Sequence, residues 1–410
     1  MKSSTDDPLE KRSKEDRENY QFNKLRNIID IAKSKSEGWK TLLKDVDASQ
    51  IKEKKDLSFI PITRKSLLSK AQVQEAPFGG LTTKNYKNFD HIFASPGPIY
   101  EPGGTGDFWR MSRAMKAASF GEGDVMYNTF SYHLTPAGFM MDQAARSIGI
   151  NVIPGGIGNT ELQLRTISEL QPNRYVGTPS FLKIILEKGN ENNIDVSCLK
   201  TGLVGGEACP PSLRKLLSQL GCEVLQSYGT ADLGLVAYES WDKEGMFCDE
   251  EVILEIVKPG SDKILEDGEV GEIVVTTLNE DYPLFRFATG DLSAVITEKS
   301  RCGRTATRIK GWMGRADQTT KVRGMFVRPE QIANIENELG FTSKLRLLVD
   351  SKKHEDVIKM LVETDTKDVT IENIKDKIRA ELKLRAEVEL VSMGTIPNDG
   401  IVIEDKRTFE

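Results

Sequence analysis

A chain of 410 residues is too long for one small core, so two or three units are expected. Its 38% hydrophobic and 29% charged content fits a soluble globular protein, and no run approaches the roughly 18 apolar residues of a membrane span. A formal net charge of −6, spread over both halves, argues against a general nucleic-acid binder.

The stretch "MKSSTDDPLEKRSKEDRENYQ" lacks an apolar h-region, so it is not expected to be a secretory signal. Residues 1–55 read as a charged helical segment, in which "YQFNKLRNIIDIAKSK" sets apolar residues at helical spacing. "SFIPITRKSLLSKAQ" reads as a turn into a short helix, with Thr63 as its N-cap. From about 88 to 240, strand-like runs ("HIFAS", "VMYNTF", "INVIPGG", "RYVGTP", "EVLQSYG") alternate with helical stretches ("GFMMDQAARSIG", "TELQLRTISEL", "PSFLKIILEKGNEN", "PPSLRKLLSQL"). That alternation predicts a mostly parallel sheet covered by helices. Residues 241–310 read as an antiparallel β region joined by Gly, Asp and Pro turns. After about 313, "LRLLVD", "VIKMLVET", "TIENIKDKIRAELKL" and "AEVELVSMGT" predict a small α+β module. The expected fold is α/β. A large N-terminal domain spans 56–312, its β subdomain lies at about 241–310, and a small mobile C-terminal lid spans 313–410.

Five cysteines, Cys198, Cys209, Cys222, Cys248 and Cys302, are odd in number and form no disulfide framework. Reduced thiols in a cytoplasm are expected. There is no CxxC pair, and three histidines are too few for a histidine-rich metal centre.

Three stretches carry chemistry. In "SYGTADLG" (227–234) a strand runs into a loop, the place where open α/β sheets bind ligands. Tyr228 offers a ring to a base, Thr230 a hydroxyl and Asp232 a carboxylate for Mg²⁺. The same residues also make an ordinary strand–turn with a helix cap. In "RFATGDLS" (286–293), the two oxygens of Asp291 match the vicinal diol of a ribose; a turn aspartate is the plainer reading. In "GRADQTTKVRGMFVRPEQI" (314–332), Gly314 and Gly324 bracket a basic segment. Arg315 reaches phosphate or ribose there, and Asp317 stands where the third unit begins, as a hinge would. Pro329 opens a helix. A basic surface hairpin is the alternative.

In this order these motifs, with "CGRT" at 302–305 and "LVGGEACPPSLR" at 203–214, resemble the adenylate-forming superfamily of acyl-CoA synthetases. The closer resemblance is to its phenylacetate–CoA ligase branch, from about Asp56 to the C-terminus. It implies that a carboxylate attacks the α-phosphate of Mg-ATP, giving acyl-adenylate and pyrophosphate. The lid then rotates, and the thiol of coenzyme A attacks the acyl carbon. By the same resemblance, Tyr228 stacks on adenine, and Gly205, Gly206, Glu207 and Gly229 line it. Asp291 and Arg315 hold ribose and phosphates, and Thr230 touches the α-phosphate. Asp232 stands where the family has its Mg²⁺-associated glutamate. Lys321, Arg323 and Gly324 face the thioester-forming conformation, and Asp317 is the hinge. "YNTFSYHLTPAG" (127–138) is similar to the border of the acyl pocket, which points to Tyr132 and His133, although His133 serves equally as a plain core or surface histidine.

Three departures stand out. At the place of the phosphate loop the chain reads "SPGPIYEP". Ser95 and Gly97 mark the position, but Pro96 and Pro98 supply no N–H to an anion nest. Tyr100 and Glu101 are then expected to replace phosphate-binding hydroxyls in the cleft. The family's catalytic lysine follows a glycine after "IP"; here Ile401 follows Gly400. Lys406 is the available cation, or else a solvated tail lysine. The positions matching the structural zinc of some relatives hold Ser240, Phe247, Ser300 and Cys302, with Cys248 at most a second thiolate, so no zinc is expected. The preferred function is an ATP-dependent, AMP-forming carboxylate–CoA ligase for an aromatic or other small acid. A homodimer is usual among such relatives. The alternatives are a nucleotide- or acyl-CoA-binding protein with reduced catalysis, and an adenylyltransferase acting on a deazaflavin-type cofactor.

Overall fold

The computed structural model describes residues 7–95, 99–316, 318–322, 325–339, 344–352, 355–365 and 370–407. The described chain divides into two compact units. One gathers Met1–Leu254, Val275–Phe287 and Ile296–Trp312; the other gathers Glu255–Val274, Ala288–Val295 and Met313–Glu410.

In the first unit the charged N-terminal segment is packed rather than detached. Ser13 caps the helix Lys14–Lys35 by accepting the N–H of Asp16 at 3.0 Å. Phe22, Leu25, Ile28, Ile29 and Ala32 form the buried stripe that the helical spacing predicts. Beside them Arg12 and Arg17 both clamp Glu250, at 2.6 and 2.9 Å, and Glu250 is only 1% exposed. Glu250→Ala leaves two guanidiniums short of their carboxylate, so it is expected to cost about 3–5 kcal/mol. Denaturant melts check this, and a loss below about 1 kcal/mol would mean that water replaces the carboxylate at no penalty.

The alternating region forms a nine-stranded sheet. Its order is Asn151–Pro154, Val125–Asn128, Arg174–Gly177, Thr201–Val204, Glu223–Thr230, Gly234–Glu239, Met246–Cys248, Arg308–Ile309, Val295–Ile296. The first five strands pair in parallel. Helices Ala137–Ser147, Thr160–Leu170, Pro179–Glu191 and Pro211–Gln219 connect them. From Glu223–Thr230 onward the pairing turns antiparallel. The sheet ends of Tyr228 and Gly205 thus lie where parallel strands stop, the expected position for a ligand.

Two local expectations are corrected. "HIFAS" is not a strand of the parallel sheet: His91–Ser95 pairs antiparallel with Ile99–Gly103 as a separate hairpin. Ser95 pairs with Ile99, so no crossover helix follows the strand. Nor is Thr63 an N-cap. The helix is Lys65–Gln74, and Thr63 belongs to the strand Thr63–Arg64, where its N–H donates to the carbonyl of Arg286 at 2.9 Å. A backbone pairing wins there over side-chain capping.

Strands Val252–Val257, Gly271–Thr277 and Phe287–Ser293 form, with Thr63–Arg64, a second sheet of four. The C-terminal α+β module has a four-stranded sheet in the order Glu387–Val391, Glu355–Glu363, Leu345–Lys352, Ile403–Asp405, with helices Pro329–Leu339 and Ile371–Leu382. Leu347, Val349, Met360, Val362, Ile374 and Ile378 fill its core. Among the described residues no helix is long and apolar enough to cross a membrane.

Candidate active site

The expected residues fall into two groups, one in each unit. In the first unit, the strand Glu223–Thr230 carries half-buried Tyr228 to the sheet's end, with a bulge between Tyr228 and Gly229. The strand Thr201–Val204 delivers Gly205, Gly206 and Glu207 beside it. Gly205 is required there: a Cβ would come within 2.9 Å of the Ser227 carbonyl. Glu207 accepts the N–H of Ser180 at 2.8 Å, which ties the loop to the start of a helix. The Thr230 hydroxyl accepts the N–H of Leu233 at 3.1 Å, closing the "TADL" turn.

Asp232 is buried. Its Oδ2 takes the Lys65 ammonium at 3.2 Å, and its Oδ1 has no hydrogen-bond partner among the described residues. Sequence reading passed over Lys65, which looks like an ordinary first-turn lysine. Tyr132 lies edge-on to Phe139 at 5.4 Å between ring centres, and His91 is tilted against the same ring at 4.8 Å. The Tyr132 hydroxyl accepts from Asn128 at 2.7 Å, and burial holds its pKa above the usual phenol range. His133 is exposed, its backbone N–H on Ser131.

Ser95 and Glu101 face each other across the hairpin, the Ser95 hydroxyl donating to Oε1 of Glu101. Glu101 is wholly buried and its Oε2 is unpartnered among the described residues, so it does not stand in for an exposed phosphate-binding hydroxyl. Tyr100 is partly exposed and its backbone is pinned to Gln72. Loss of water around Glu101, with Asp232 nearby, pushes its carboxyl up from 4.5 to about 7, against the help of Ser95 and Lys65. Between pH 4.5 and about 7 the folded chain holds a proton that the unfolded chain has released. Stability therefore falls as pH rises through this window, by up to about 3 kcal/mol. Glu101→Gln removes this loss. Its melting temperature is expected to match the parent near pH 4.5 and to exceed it at pH 8. An equal gap at both pH values would contradict the assignment.

In the second unit, Asp291 and Arg315 meet. The Arg315 guanidinium donates to Asp291 at 2.8 Å; Arg315 is 55% exposed and the carboxylate 12%. Gly290 makes this possible. It adopts φ +75°, and a Cβ would lie 2.6 Å from an Arg315 nitrogen. Thr289 accepts the N–H of Asp291 at 3.1 Å and donates to Ile273 at 3.0 Å. Glu272, missed in the sequence, accepts the N–H of Gly290 at 3.2 Å. The Thr-Gly-Asp turn is therefore pre-set, with its carboxylate largely buried against the half-exposed Arg315 guanidinium.

Gln318 is the other residue missed. It donates to the Gly400 carbonyl at 2.8 Å and accepts the N–H groups of Val402 and Ile403 at 2.6 and 2.9 Å. Gly400 packs on Leu292, the neighbour of Asp291. Lys406 is exposed, with its ammonium 3.4 Å from Glu404 and its N–H on Val349. Gly97, Asp317, Arg323 and Gly324 lie outside the described residues, as does the side chain of Lys321. Among the described residues no group of three or more His, Cys, Asp or Glu forms a metal site.

Residues 109–279 match the family model of the AMP-binding enzymes. A phenylacetate–coenzyme A ligase of Aromatoleum evansii is 26% identical over 376 residues, 87% of this chain and 84% of that protein. The Escherichia coli K12 protein of the same name is 28% identical over 337 residues, 75% of this chain and 76% of its own. A solved 2-hydroxyisobutyryl-CoA ligase in complex with 2-HIB-AMP and CoA shares the fold, with a TM-score of 0.73 at 20% identity, covering 95% of this chain and 91% of its own. The chain is thus similar to the AMP-binding enzymes over residues 109–279 and to phenylacetate–CoA ligases over most of its length.

Proposed function

We propose that this chain is an ATP-dependent, AMP-forming carboxylate–CoA ligase that works through an acyl-adenylate. The observation that carries this reading is the Asp291–Arg315 pair on its pre-set Thr-Gly-Asp turn. A carboxylate at the edge of solvent matches a ribose diol with its two oxygens, and a half-exposed guanidinium beside it offers charge to phosphate. Tyr228 supplies the stacking face for adenine. The unpartnered Oδ1 of Asp232 would hold Mg²⁺, which would neutralise charge on the polyphosphate. The rings of Tyr132, Phe139 and His91 favour an aromatic acid.

A second reading, a nucleotide binder with little turnover, draws support from the hairpin at 91–103 and from the exposed Lys406. Carboxylate-dependent ATP–pyrophosphate exchange over a panel of acids separates the two. Exchange with an aryl-acetic or benzoic acid is expected. No exchange with any acid, together with stabilisation by ATP, would overturn the ligase reading in favour of the binder.

A further inference from the structure

Outside the nucleotide site, one thiol sits in surroundings that the ligase chemistry does not use. Cys302 is half-buried in the turn at 300–304. The Ser300 hydroxyl lies 3.1 Å from its Sγ, and an Arg304 guanidinium nitrogen donates to it at 3.6 Å. Ser240, 3% exposed, has a hydroxyl without a hydrogen-bond partner among the described residues, near enough to the same sulfur to favour its charged form. Burial alone would hold this thiol protonated. The donors from Ser300 and Arg304 outweigh it and bring Cys302 below the usual thiol range. Around Cys198, the other half-buried thiol, backbone N–H groups and Lys200 do not offset burial, which with Asp195 pushes it up.

We infer that Cys302 is a site of reversible oxidation by hydrogen peroxide, with Arg304, Ser300 and Ser240 forming the pocket that receives the sulfenic oxygen. The thiolate sulfur attacks one peroxide oxygen, the O–O bond breaks, and the departing hydroxide takes a proton to become water. The sulfur becomes Cys–SOH. Its new oxygen gains hydrogen bonds from the Arg304 guanidinium and from Ser240, whose hydroxyl otherwise lacks a partner. A thiolate beside a cation and open to solvent is the form that peroxide oxidises, whereas a buried neutral thiol is inert.

The test treats the full chain with dilute peroxide at neutral pH, traps sulfenic acid with a cyclic diketone and maps the adduct by mass spectrometry. Cys302 is expected to carry adduct ~10-fold sooner than Cys198. Cys302→Ser should remove that signal. Arg304→Gln should slow labelling, but Arg304 also binds Glu10 at 2.6 Å and this variant can loosen the N-terminal segment. Ser300→Ala leaves that contact alone and should slow labelling in a chain with an unchanged melting temperature. Labelling of Cys302 no faster than Cys198, or unmoved by Ser300→Ala in the folded protein, would overturn the inference.

Discussion

Asp291→Ala is expected to abolish the thermal stabilisation that Mg-ATP gives the parent chain. Two hydrogen bonds from a ribose diol to a carboxylate are worth on the order of 3 kcal/mol together, or more, since hydrogen bonds to charged groups are the strong ones. That is ~10²-fold in Kd, enough to remove a shift read at millimolar nucleotide. The fold should survive, because Arg315 is 55% exposed and water can take the place of its lost partner. The turn's backbone is held by Thr289 and Glu272, contacts that the substitution leaves in place. Asp291→Asn keeps one acceptor and should fall between the two. Full stabilisation of Asp291→Ala by ATP would refute the ribose assignment, whatever the activity of the variant.

The parts of this molecule that were legible in the sequence are those written as local patterns. Strand–helix alternation from 125 to 230 gave the parallel sheet, because each strand is a short apolar run and each helix an amphipathic one. Asp291 and Arg315 were legible because a Thr-Gly-Asp turn and a Gly-Arg pair are short motifs, and Gly290 with its positive φ belongs to the first. What escaped is long-range partnership. Lys65 meets Asp232 across 167 positions, and Gln318 gathers the chain at 400–403. Nothing in either residue's neighbourhood announces its partner. The hairpin at 91–103 failed for another reason. "HIFAS" has the composition of an interior strand, and only the pairing of Ser95 with Ile99 shows that the chain doubles back at once. Glu101 was expected to replace a phosphate-binding hydroxyl in the cleft, yet the hairpin turns it inward onto Ser95.

Ile401→Lys is expected to raise carboxylate-dependent pyrophosphate exchange ~100-fold. A cation aimed at charge that develops on the transferred phosphoryl group is commonly worth ~3 kcal/mol of barrier. The position is favourable. Gly400 packs against Leu292 beside Asp291, and Gln318 fixes the backbone at 400, 402 and 403. A side chain at 401 therefore starts from a rigid base near the Asp291–Arg315 turn. Ile401 is half-buried, and its own carbonyl and N–H are bound to Arg346 and Asp399, contacts that a side-chain change leaves in place. Lys406 is differently placed: exposed, beyond the strand Ile403–Asp405, and paired with Glu404. Lys406→Ala should then cost less than about twofold, as for a surface ion pair. A ~100-fold loss in Lys406→Ala, with no gain in Ile401→Lys, would show that the tail lysine is the working cation and that position 401 is not where the charge is needed.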